Sequence, residues 1–131
     1  MARRDVQDEA FRVLYEKARQ AGLAAGLAEK PNPMTVVEAD PLSGRPLSGG
    51  QRWHVPEGLC GFAWVTIRPG TCAFARWLRT NNLARKAYEG GMQIWIHDHN
   101  QSIERKEAHA HAMAQVFEAA GIIAYAGSRL D

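Results

Sequence analysis

The residues of this sequence best suited to chemistry fall in two stretches. Between Gly58 and Tyr88 there is no Asp or Glu, yet Arg68, Arg76, Arg79, Arg85 and Lys86 all lie there. The whole chain carries 16 Lys and Arg against 14 Asp and Glu, a formal net charge of +2, so the remainder is net acidic and the small total hides a positive segment. Such a segment attracts anions, in nucleic acid, a nucleotide or an acidic partner protein. The plainer account is a solvated helix face balanced in space by Glu57, Glu89 or the acidic first helix. Trp53, beside Arg52 and His54, is the candidate for an exposed ring on which a base could stack. Trp64, Trp77 and Trp95 sit in patterns that read as core.

The second stretch is rich in histidine: His97, His99, His109 and His111. On a strand His97 and His99 point the same way and could share a metal ion. On a helix His109 and His111 stand roughly 200° apart around the axis and could not. A third ligand would have to come from His54, Cys60 or one helical histidine, and neither HExxH nor CxxC is present, so no metal and no cofactor are expected. An acid–base role would fall to His97, Asp98 or His99, at a strand end where strand-to-helix connections converge. No nucleophile stands out, because Cys60 and Cys72 both lie in apolar contexts and read as reduced, buried thiols. Neither GxGxxG nor GxxxxGK[ST] occurs, which removes the usual dinucleotide and P-loop sites.

The elements that must position these residues follow from periodicity. Apolar residues from Val6 to Ala25 recur every three or four positions, giving an amphipathic helix over 5–29 that Pro31 and Pro33 stop. Met34 to Glu38 suits a short strand, and 40–52, rich in Gly, Ser and Pro, reads as a flexible loop. Cys60 to Arg68 reads as a strand with Phe62, Trp64 and Thr66 on one side and Ala63, Val65 and Ile67 on the other. Apolar residues on both sides imply a strand covered on both faces. Thr71 is placed to cap a short helix through Thr80. Met92 to His97 repeats the two-sided pattern, Ser102 caps a helix over Ile103 to Ala120, and Ile122 to Ala126 forms a last strand.

At 131 residues, with 46% hydrophobic and 23% charged, the chain has the size and balance of one globular domain, with an α/β core over 59–127. The strand–helix–strand–helix–strand order favours parallel neighbours. The expected fold is therefore α/β, a small mixed and mostly parallel four-stranded sheet flanked by about three helices, with α+β as the alternative. No apolar stretch nears the roughly 20 residues of a membrane span, and no signal-like apolar segment follows Met1, so the expected location is the cytoplasm.

Val55-Pro56-Glu57-Gly58, Gly61-Phe62-Ala63-Trp64-Val65, Phe74-Ala75-Arg76-Trp77-Leu78, Glu104-Arg105-Lys106-Glu107-Ala108, Gly121-Ile122, Ala124-Tyr125 and Ser128-Arg129-Leu130-Asp131 form a pattern over residues 54–131. That pattern resembles small conserved proteins of tailed bacteriophages. It implies a phage or prophage setting, hence the host cytoplasm, and supplies no catalytic residues. The expectation is a binding module acting on a host protein or on nucleic acid through Arg68, Arg76, Arg79, Arg85, Lys86 and Trp53. The alternatives are a small enzyme on a phosphorylated or nucleotide substrate using His97 or His99, and a virion or assembly component. The missing catalytic constellation leans away from an enzyme, and a homo-oligomer is compatible with the pattern.

Overall fold

The computed structural model describes residues 3–37, 39, 41–45, 52–55 and 58–131, with 34–37 and 52–55 described through their backbone. Of the expected loop 40–52, positions 40 and 46–51 lie outside the described residues, as does the side chain of Trp53. Helix α1 spans Arg3–Ala28, with Asp5 in its first turn, where a carboxylate meets the positive end of the helix dipole. Strands β1 (Met34–Val37) and β2 (Arg52–Val55) pair antiparallel as a separate two-stranded sheet, so a strand occupies the end of the segment expected to be loop.

The main sheet is four-stranded in the order β4 (Arg85–Lys86), β5 (Met92–Trp95), β3 (Gly61–Arg68), β6 (Ile123–Leu130), and every neighbouring pair is antiparallel. This corrects the expectation of a mostly parallel sheet, while the class, helices packed on a sheet, is as read. The physical reason is helix length. Helix α2 (Ala73–Thr80) has eight residues, about 12 Å at 1.5 Å per residue. The eight-residue β3 is about 26 Å long. So short a helix cannot carry the chain back to the start of β3, and the chain reverses beside it through β4 and the Gly90–Gly91 turn, whose φ values are +100° and +81°. Helix α3 (Ile103–Ala119), with 17 residues, is about 26 Å long and does make a crossover. It joins β5 to β6, which run parallel to each other with β3 inserted antiparallel between them.

One face of the sheet is sealed. Ala63, Val65, Ile67, Met92, Ile94, Ile96 and Ala124 are buried against Ala110, Met113, Ala114 and Phe117 of α3. An aromatic cluster ties the three helices together at one end, with Phe74 of α2 5.3 Å from Phe11 of α1 and 5.2 Å from Phe117 of α3. Cys72, and not the expected Thr71, caps α2, its Sγ accepting from the Ala75 N–H at 3.5 Å. Ser102 caps α3 as read, accepting from the Arg105 N–H. On the opposite face Phe62, Trp64, Gln93 and Trp95 keep part of their surface exposed and Thr66 is buried, where the sequence reads as a strand pair fully covered on both sides.

Helix α1 lies across α3 through glycines. Gly22 and Gly26 are buried, and a Cβ on Gly22 would fall into the His109 ring and within 2.9 Å of Met113 Cγ. Carbonyls at the end of α1 have no intrahelical partner. Arg105 reaches over from α3 to donate to Gly26 O at 3.0 Å and Leu27 O at 3.1 Å. Gly22→Leu is expected to cost about 1–3 kcal/mol by overpacking this contact, read as a lowered urea midpoint with unchanged far-UV circular dichroism.

Candidate functional site

Alternation along the strands decides what the open face carries. Outward from β3 point Phe62, Trp64, Thr66 and Arg68; their register partners are Arg129, Gly127, Tyr125 and Ile123 of β6 on one side, and Trp95 and Gln93 of β5 opposite Trp64 and Thr66 on the other. Arg85 of β4 stands opposite Gln93. Strands β3 to β6 contain no Asp or Glu. The rings form a connected set: Trp64 and Trp95 have centroids 5.0 Å apart, and Phe62 meets Trp95 edge-on at 6.2 Å. Gly127 makes this possible, because a Cβ there would come within 2.5–3.0 Å of the Trp64 indole, which lies across the bare β6 backbone.

Cations sit over three of these rings. Arg85 Cζ is 4.5 Å from the Trp95 centroid, Arg129 Cζ 5.3 Å and Lys106 Nζ 5.7 Å from that of Phe62, and Arg68 Cζ 5.7 Å from that of Tyr125. Tyr125 is 44% exposed, while Phe62, Trp64 and Trp95 are half-buried by one another. A cavity of about 330 Å³ opens at the β4–β5 edge of this surface, lined among others by Tyr15, Asn82, Arg85, Gln93, Trp95 and His97. A wider groove of about 640 Å³ runs between the end of α1, α3 and β6; Glu29, Glu104 and Glu107 line it, and its charge is wrong for a polyanion.

The residues singled out from sequence are thus divided. Arg68 and Arg85 lie on the open face. Lys86 is exposed at the β4 edge, opposite the inward-facing Met92. Arg76 and Arg79 are exposed on α2, whose buried side packs into the helical layer, away from the aromatic rings. His97 and His99 do not share a site. Strand β5 ends at Trp95, and the backbone turns through His99 and Asn100 at φ +69° and +53°. His97 is exposed beside Trp95, Asp98 is exposed between the two, and His99 turns into the helical layer against Gly26, its Nε2 2.9 Å from Nδ1 of His109. Among the described residues no group of three metal-ligating side chains converges.

Sequence reasoning assigned Trp64 and Trp95 to the core and passed over Lys106. A signal for Lys106 was present: it lies four residues before Ala110 and seven before Met113, on the inward stripe of α3, where a lysine has no packing reason to be. His109 is buried on the same side.

Comparison of the chain with protein-family models, with curated protein sequences and with solved structures found no match.

The buried imidazole pair makes stability depend on acid. Burial, and secondly the neighbouring His99, push the His109 pKa down from its ordinary 6.5 to about 4; Asp98 acts in the opposite direction and Arg19 in the same one. Between those values the unfolded chain binds the proton and the folded chain does not, so stability falls as pH drops from 6.5 toward 4 and is level above 6.5. Urea midpoints at pH 7 and pH 5 are expected to differ more for the native chain than for His109→Gln.

Proposed function

We propose that this chain is a single-stranded nucleic-acid-binding module whose contact surface is the open face of the four-stranded sheet. The observation that carries the reading is the set Phe62, Trp64, Trp95 and Tyr125 on neighbouring strands, flanked by Arg68, Arg85 and Arg129 with no carboxylate on the strands. Rings presented by a sheet can stack only on unpaired bases, and guanidinium groups between them reach the phosphates of the same strand. A duplex, its bases already stacked, offers such a surface only its phosphates. The rings lie on strands hydrogen-bonded into the sheet, so they are held in place before a ligand arrives.

Fluorescence anisotropy with a labelled 12-nucleotide DNA and RNA, against a duplex of the same sequence, tests this. Single strands are expected to bind more tightly than the duplex, with affinity falling steeply between 50 and 200 mM salt as counterions are released. Trp64→Ala and Trp95→Ala should each weaken single-strand binding by about 1–3 kcal/mol, while Lys17→Ala, which removes a positive charge from the exposed side of α1, should change little. Equal affinity for the duplex, or tryptophan variants that bind like the native chain, would overturn the reading.

A further inference from the structure

We propose that Lys106 and Arg129 form a binding site for a phosphate group at the corner of the sheet where β3 begins and β6 ends. Lys106 is 5% exposed. Its ammonium lies over Phe62 and, among the described residues, makes no hydrogen bond or ion pair. Among the described residues every sealed side-chain nitrogen and oxygen has a partner, so the small exposed part of Lys106 includes Nζ: the stem is buried and the charge reaches a surface. A lysine held this way has lost much of its hydration without gaining a counter-ion, and an aromatic face compensates only in part. For packing alone an apolar side chain of the same length would serve better. The charge is positioned for an anion.

A second cation shares the ring. Arg129 stands opposite Phe62 in the β3–β6 register, with its guanidinium on the same ring and no ion pair among the described residues. Asp131 is held at this corner by its N–H, which donates to Cys60 O. The first turn of α3 begins here: Cys60 bridges Ser102, and the Ile103 N–H donates to Leu59 O at 3.0 Å. The positive end of that helix adds to the potential of the two side chains. A planar guanidinium that binds two oxygens and an ammonium that acts as a point charge together suit a tetrahedral phosphate. Free phosphate and the phosphodiester of a bound strand present the same chemistry. In its polymer form the inference rests on the sheet-face reading, and the corner would then fix one end of the strand while bases stack toward Trp95.

The experiment has two arms, calorimetric titration with inorganic phosphate and pyrophosphate, and anisotropy with the 12-nucleotide single strand. In Lys106→Met, which keeps the stem and removes the charge, phosphate and pyrophosphate binding should be lost and the single strand should bind about tenfold more weakly, with a salt slope reduced by about one contact. Arg129→Gln, an exposed change that leaves the packing intact, should act in the same direction and decides the matter if Lys106→Met does not fold. Phosphate binding that depends on Lys106 without any single-strand binding would uphold the corner site and overturn the sheet-face reading. Single-strand binding that neither substitution weakens would overturn the corner site alone. No binding of phosphate, pyrophosphate or single strand by the native chain would overturn both.

Discussion

Strand β3 is hydrogen-bonded along both edges and sealed on one face, while on the other Phe62 and Trp64 stay half-exposed beside the buried Thr66, and the rest of the molecule is arranged around that asymmetry. Strand β6 pairs with all eight of its residues, and β5 pairs with four before the Ile96 N–H to Ala63 O and the Gly61 N–H to Gln101 O continue the contact. Small and branched side chains at Ala63, Val65 and Ile67 let α3 settle on the inner side. Because successive residues alternate, the same backbone that seats the core sets out Phe62, Trp64 and Thr66 on the other side at fixed spacing. A slip of one residue would exchange the two sets, so the register that protects the core also preserves the aromatic surface.

Local signals showed the elements and left their partners open. The Ser102 cap, the left-handed Gly121 at φ +85° and the apolar stripe of α3 made that helix legible almost to the residue, and the same holds for the body of α1. Parallel or antiparallel pairing is a relation between distant segments. It turned on the length of α2, which the sequence did show, and on the insertion of β3 between β5 and β6, which it did not. Strand β4, with two residues, is too short to have a period. The open face was hidden by chemistry: Phe, Trp and Tyr are apolar whether they fill a core or offer a stacking surface, so hydrophobicity on both sides of β3 could not tell a covered strand from a platform.

The connection from β5 to α3 explains why the histidines part. In five residues, His97 to Gln101, the chain passes from the outer face to the helical layer, using left-handed backbone at His99 and Asn100 to do so. Asparagine tolerates that conformation; histidine does so less often. What holds His99 there is the ring of His109 on one side and the bare backbone of Gly26 on the other. The glycines of α1, which weaken a helix in isolation, are the positions where it can lie on two imidazoles. The acid sensitivity of His109 therefore belongs to the docking of α1.

The cations over the rings invite a purely structural account, in which each arginine covers an aromatic that would otherwise be wet. Magnitudes argue against that being their whole role. An exposed cation–π contact contributes about 0.5–1 kcal/mol, and a base stacked on an aromatic side chain about 1–3 kcal/mol. On the proposed reading a base would displace the guanidinium from Trp95 or Phe62, and the displaced group, still tethered beside the ring, would meet the phosphate attached to that base. Arg85 and Arg129 are both exposed; Arg68, also exposed, lies over Tyr125 and donates to Glu89 O at 3.4 Å. Lys106 differs in kind, since its stem is buried and the residue is 5% exposed. On the proposed reading the two sorts of cation would divide the work: the arginines would exchange a ring for a phosphate as a strand arrives, and the lysine would mark the place of one phosphate.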